Sequence, residues 1–189
     1  QVRVVTVANF PEGGEDAGLA AEQVRIAVEL GADEVDVVLP WRALLQGRTD
    51  TGSDLVRRCR DAVGRRLLKV IIESGCLQSV AAIRLASQLA IDAGADFIKT
   101  STGKVQPAAT MPVTLLMLEV IRDHFVATGV RIGMKPAGGI RTSKQALAYL
   151  VMVAETLGKI GINVELQAMD YQTLVARRAK KDSIANGEI

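Results

Sequence analysis

The chain has 189 residues, of which 49% are apolar, 3% aromatic and 23% charged, with 23 basic and 21 acidic side chains and a formal net charge of +2. That length suggests one domain, or one and a fraction, with a large aliphatic core, and the near-balanced charge gives no support to nucleic-acid binding as its main business. No apolar stretch reaches the length of a membrane span, no signal peptide is expected, and the two cysteines lack metal-ligand spacing. Free thiols and a cytoplasmic location are the expectation, and a single histidine, His124, excludes His-based metal clusters. The chain opens on Gln1-Val2-Arg3 directly into strand-like sequence, so it reads as cut at its front.

In chain order, Val2 to Ala8 is a β-branched run stopped by Asn9-Phe10-Pro11-Glu12-Gly13-Gly14. Leu19 to Leu30 carries Ala20, Val24, Ala27 and Val28 on one helical stripe and ends at Gly31. Glu34 to Leu39 is a second strand closed by Pro40, and Trp41 beyond it packs over the strand ends. Ser53 or Asp54 is expected to cap a helix bearing Leu55, Cys59, Ala62 and Val63. Leu67 to Glu73 is the third strand, Ser79 opens the next helix, and Phe97 to Thr100 is the fourth strand. Thr110 with Pro112 opens a helix of Leu116, Met117, Val120, Ile121 and Phe125. Arg131 to Lys135 is the fifth strand, and Thr142 or Ser143 starts a helix with Ala146, Leu147, Leu150, Ala154 and Leu157 inward.

Strand and helix thus alternate five times with a period of roughly 30 residues. Eight such units make about 250 residues, the size of a TIM barrel. The fold class is therefore α/β, a partial (β/α)8 barrel of about five of its eight units. A doubly wound sheet is the alternative, but no G-x-G-x-x-G turn follows the first strand. Ser101-Thr102-Gly103-Lys104 is no P-loop either, because Ile98 stands where that loop needs glycine.

Period-two alternation sorts the strand faces. Val35, Val37 and Leu39 go under the helices, which leaves Glu34, Asp36 and Val38 inward. Leu68, Val70 and Ile72 likewise leave Lys69 and Glu73 inward; Lys99 shares its face with Phe97 and Ser101, and Lys135 with Gly133. Four strands thereby aim Asp36, Lys69, Lys99 and Lys135 at one interior. A structural ion-pair network is one reading of such a cluster. Schiff-base chemistry is the other: a lysine amine becomes a nucleophile when a neighbouring ammonium and desolvation favour its neutral form, and a nearby carboxylate can move protons. Pro136-Ala137-Gly138-Gly139-Ile140-Arg141 adds a candidate anion site, with two glycines for close backbone approach and charge from Arg141 and Lys104.

Four stretches carry a resemblance: Val5-Thr6-Val7-Ala8-Asn9-Phe10-Pro11, Gly31 to Val38, G-A-D-F-I-K-T-S-T-G-K from Gly94 to Lys104, and K-P-A-G-G-I-R from Lys135 to Arg141. Together they resemble the deoxyribose-phosphate aldolases, class I aldolases, from about Val2 to Gly158. The resemblance implies a TIM barrel, no metal and no organic cofactor. It also implies reversible cleavage of 2-deoxy-D-ribose 5-phosphate to acetaldehyde and D-glyceraldehyde 3-phosphate in deoxyribonucleotide catabolism. By matching position Lys99 would form the Schiff base, and Lys135 would favour its neutral amine and assist proton transfer. Asp36 would be the general acid/base. Thr102, Gly103, Lys104, Gly138 and Gly139 would line the substrate and its phosphate. The expected partner is a small phosphorylated sugar rather than nucleic acid or membrane, and a homo-oligomer is left open.

The family pattern puts two further units ahead of Val2 and another strand with a phosphate loop after Gly158. Residues 1–158 are therefore expected to be the partial barrel and 159–189 a tail foreign to it. Residues 157–182 read as a strand, Ile162 to Ala168, and a helix capped by Asp170. This stretch resembles a piece of the dipeptide-type solute-binding proteins of ABC transporters. The chain on its own is expected to be poorly active or poorly soluble.

Overall fold

The computed structural model describes residues 3–159 and 161. Five parallel strands form one sheet in sequence order, β1 (Val5–Ala8), β2 (Glu34–Val38), β3 (Leu67–Ile71), β4 (Phe97–Lys99) and β5 (Gly133–Lys135). Each crossover carries helix: α1 (Ala17–Glu29) after β1, α2 (Trp41–Leu45) and α3 (Thr49–Val63) after β2, α4 (Ser74–Leu77) and α5 (Val80–Asp92) after β3, and α6 (Met111–Thr128) after β4. Helix α7 (Ser143–Gly158) follows β5. The α/β alternation of a partial barrel is therefore what the chain adopts. Among the described residues no helix is long and apolar enough to cross a membrane.

The core lies between the sheet and its helices. Val35, Val37 and Leu39, Leu68, Val70 and Ile72, and Ile98 all belong to it, packed with Val24, Leu55, Cys59, Ile83, Ala86, Met117 and Ile121 from the helices. Burying one such aliphatic side chain contributes about 1.5–3 kcal/mol. Cys59 is a buried core residue whose thiol is pushed up to about 12 by burial.

Local chemistry sets most element ends. Asp16 caps α1 by accepting from the Leu19 amide at 2.9 Å, Ser79 caps α5, and Thr110 caps α6 ahead of Pro112. Thr142 and Gln145 form a capping box at the start of α7. Helix α3 departs from expectation: it begins at Thr49, so Ser53 and Asp54 lie inside it rather than capping it. Its first turn has no side-chain cap and is instead seated by buried Gly52, which packs against Leu89 and Leu39. Strands β2, β3 and β4 end one or two residues earlier than the sequence predicts. Pro40 has no amide to continue β2, and Glu73 turns the chain out of β3 with φ +49°. The short helices α2 and α4 go unpredicted, since four or five residues are too few to show a helical period.

The lower ends of β3 and β4 are pinned together. The Asp96 carboxylate accepts from the Leu68 amide at 2.7 Å and from Arg60 at 2.6 Å. At the upper ends the Ile72 amide donates to the Lys99 carbonyl at 3.0 Å, and the Thr100 amide to the Lys135 carbonyl at 3.2 Å. This fixes the register on which the ionic face depends.

Candidate active site

Register places the inward residues in two rungs. Val7, Asp36, Lys69, Phe97 and Gly133 lie level across the sheet, and Val38, Ile71, Lys99 and Lys135 lie level one step nearer the C-terminal ends. Lys99 and Lys135 therefore reach down to Asp36, while Lys69 meets it from the side. Gly133 is required here: a Cβ at that position would stand 2.1 Å from the Phe97 ring. The ring fills the space beside Lys99 that a larger residue on β5 would take.

The three lysines converge on one carboxylate. Lys69 Nζ donates to Asp36 Oδ1 at 2.8 Å, Lys99 Nζ to Oδ2 at 2.7 Å, and Lys135 Nζ to the same Oδ2 at 3.0 Å. Two ammonium groups thus share one oxygen, and their nitrogens can be no farther apart than those two lengths laid end to end. Lys69 Nζ also lies 2.5 Å from Glu34 Oε2, and Glu34 in turn accepts from Arg3 at 3.0 Å. Burial pushes the Asp36 carboxyl up, but hydrogen bonds from Lys69, Lys99 and Lys135 outweigh it and hold the group below the usual carboxylate range. An isolated buried carboxylate would be far too costly to ionise, so this cluster is what keeps Asp36 charged. The side chains of Lys69 and Lys99 are 5% and 11% exposed, whereas that of Lys135 is 38% exposed.

Above the lysines the hydroxyls of one loop hold the backbone of another. Thr100 Oγ1 donates to the Ala137 carbonyl at 3.0 Å and accepts from the Ala137 amide at 2.9 Å. Ser101 Oγ donates to the same carbonyl at 2.7 Å. Gly138, at φ +86°, leaves no room for a side chain: a Cβ there would meet Ala108 at 2.6 Å and Ser101 Oγ at 2.8 Å. Thr102 is held from below by buried Glu73, whose carboxylate accepts from the Thr102 hydroxyl and from its amide at 3.3 Å.

Asp36, Lys69, Lys99 and Lys135 are thus brought together as the alternation predicts. Thr102 and Gly103 sit on the 101–104 loop and Gly138 and Gly139 on the loop facing it, with Lys104, Gly139 and Arg141 exposed at the rim. Two roles escaped the sequence: Glu34 as second partner of Lys69, and Glu73 as anchor of Thr102. Alternation put both inward, and that signal was the one that could have found them. Trp41 is half-buried against the core, with the Arg42 guanidinium 4.1 Å from its ring centre.

A parallel α/β sheet whose strand C-terminal ends gather lysines around a carboxylate defines an aldolase-type site. The chain belongs to the DeoC/LacD family aldolases, whose pattern matches residues 3–169. It is similar to crystal structures described as putative deoxyribose-phosphate aldolases. The one from Toxoplasma gondii is 27% identical with a TM-score of 0.76, over 83% of this chain and 62% of that one. The one from Coccidioides immitis is 31% identical with a TM-score of 0.74, over 81% and 58%. The tetrameric deoxyribose phosphate aldolase from Aeropyrum pernix is 25% identical with a TM-score of 0.64, over 80% and 61%. The chain spans about three fifths of the length of each. The family match runs past the boundary expected at 158, and no comparison supports the resemblance of 157–182 to solute-binding proteins. The strand and helix expected from Ile162 onward lie outside the described residues.

Proposed function

We propose that the chain carries the site of a class I aldolase that cleaves 2-deoxy-D-ribose 5-phosphate reversibly to acetaldehyde and D-glyceraldehyde 3-phosphate. The observation that carries this reading is the single oxygen, Asp36 Oδ2, shared by Lys99 and Lys135 at the C-terminal ends of β4 and β5. Two amines so placed put a nucleophile and a second proton-carrying group beside one carboxylate, the set of groups that Schiff-base chemistry uses. Lys99, the more enclosed of the pair, is the nucleophile. Its neutral amine adds to the C1 aldehyde, and loss of water leaves an imine. Removal of the proton from the C3 hydroxyl then breaks the C2–C3 bond. The electron pair flows into the imine to give an enamine, and glyceraldehyde 3-phosphate departs. Protonation at C2 and hydrolysis release acetaldehyde and free Lys99. Asp36 and Lys135 move the protons in this reading.

Thr102, Gly103, Lys104, Gly138 and Gly139 hold the substrate and its phosphate. The close approach of Gly138 to Ser101 and Gly103, which brings the two loops together next to Lys99 and Lys135, supports that role. The tetrameric relative makes a homo-oligomer the matching proposal for assembly.

Reduction with borohydride in the presence of acetaldehyde tests the chemistry. One ethyl group on Lys99, located by mass spectrometry, is the expected result; no adduct, or one on a different lysine, would overturn it. Turnover of deoxyribose 5-phosphate against ketose phosphates then separates this substrate from those of other Schiff-base aldolases. A second reading, a family chain that keeps the residues without turnover, is favoured by the open sheet: β1 and β5 are both edges among the described strands. A cooperative melt without activity would support it.

A further inference from the structure

The lower half of the ionic cluster is not needed by the chemistry just described. Lys69 sits level with Asp36 and touches both it and Glu34. Packing does not require ions there, since Val5, Val7, Val38 and Ile71 occupy the same face with apolar side chains. A buried ion pair is replaceable by hydrophobic residues at little cost, so its presence is weak evidence of a stabilising role. Its effect on Asp36 is more specific. An unhindered carboxylate facing two lysines would give each its own oxygen. Lys69 occupies Oδ1, which obliges Lys99 and Lys135 to share Oδ2.

Glu34 sets how firmly Lys69 does this. With Oε2 at 2.5 Å it takes part of the Lys69 ammonium, and Arg3 at 3.0 Å steadies Glu34 at the N-terminal end of the sheet. We infer that Glu34 and Lys69 form a positioning pair that acts on Asp36 from beneath: Lys69 closes Oδ1, Glu34 limits its pull, and Oδ2 is thereby presented to both upper lysines at once. This rests on the Schiff-base reading of Lys99. Neither residue touches the reacting atoms.

The charged groups facing Asp36 are Glu34 on its own strand, Lys69 on β3, Lys99 on β4 and Lys135 on β5, while β1 presents Val5 and Val7. Removing Glu34 throws the whole Lys69 charge onto Asp36, and removing Lys69 withdraws it. The two changes should therefore move Asp36 in opposite directions, which a merely structural pair would not do.

The test is a cycle of Glu34→Gln, Lys69→Met and the double variant in the full 189-residue chain. Each is read by the rate of borohydride trapping of acetaldehyde on Lys99 and by carbon-13 NMR titration of the Asp36 carboxyl. Glu34→Gln is expected to slow trapping roughly tenfold and to lower the Asp36 midpoint. Lys69→Met is expected to slow trapping and raise the midpoint. In the Lys69→Met background the Glu34 substitution should slow trapping no further, and Lys69→Arg should restore most of the rate. If Lys69→Met does not fold, Glu34→Gln against Lys69→Arg still reads the midpoint. Additive slowing, or midpoints that stay put or move together, would overturn the pair. A wild-type chain that traps nothing overturns the Schiff-base reading instead, and the Asp36 midpoints then decide the pair by themselves.

Discussion

The middle of the sheet and its β5 margin are built on different terms. Every residue of β2 is buried and so are four of the five in β3, whereas none in β5 or α7 is. The middle combines an aliphatic layer on one face with Asp36, Lys69 and Lys99 on the other, and each supports the other by excluding water. The margin carries Lys135 on a strand whose only described neighbour is β4. Beside it Met134, Pro136, Ala137, Gly138, Tyr149 and Leu150 line an open apolar cavity of about 450 Å³. The site therefore spans a rigid part and a loosely held one. Asp36 and Lys99, the proposed acid/base and nucleophile, belong to the first, and Lys135 and the loop of Gly138 and Gly139 belong to the second.

Four expectations would break or sharpen that contrast. The largest effect is at the proposed nucleophile: Lys99→Ala should abolish the borohydride adduct while leaving a cooperative melt, and an undiminished adduct would move the chemistry to another lysine. Next is Asp36→Asn. It removes the carboxylate that three ammonium groups share, so turnover should fall about 10²–10⁴-fold. Stability should fall by about 3–5 kcal/mol in urea unfolding, because buried charges lose their partner. A loss under 1 kcal/mol would mean that the middle of the sheet is as tolerant as its margin.

The third expectation compares the two regions directly. Leu68→Ala in the middle should cost about 2–5 kcal/mol. Leu150→Ala on α7, with Leu150 49% exposed, should cost less than about 1 kcal/mol. Equal costs would erase the distinction between core and margin.

The smallest effect is in the pH dependence of stability. The Asp36 carboxyl is held below its ordinary value, so its contribution is fully present above about pH 4 and is lost as pH falls through the lowered value. At the other end the Cys59 thiol is raised from 9.0 to about 12, so stability present below pH 9 declines as pH rises from there toward 12. Urea midpoints across this range should show both limbs, with the acid limb reduced in Asp36→Asn and the alkaline limb in Cys59→Ala.

Much of the site was legible because β2 and β3 bracket their inward charged residues with aliphatics. Val35 and Val37 flank Asp36, and Leu68 and Val70 flank Lys69, so period two alone assigns the faces. What escaped was the choice of partner. That Lys69 also reaches Glu34, that Lys99 and Lys135 share one oxygen, and that Glu73 captures Thr102 all depend on register between strands some thirty or more residues apart. The start of α3 escaped for a related reason: Gly52 is seated by Leu39 and Leu89, and no local cap announces it.

The sequence by itself determined the α/β alternation, the strand faces and the four residues Asp36, Lys69, Lys99 and Lys135 on one side. These follow from side-chain direction and hydrophobic period, which are local properties. Only the tertiary structure decided how three lysines on three strands divide the two oxygens of Asp36, and how Gly133 and Gly138 let neighbouring parts approach. A hydrogen bond is satisfied at a fixed distance and direction, and that geometry exists only after the strands have been set side by side.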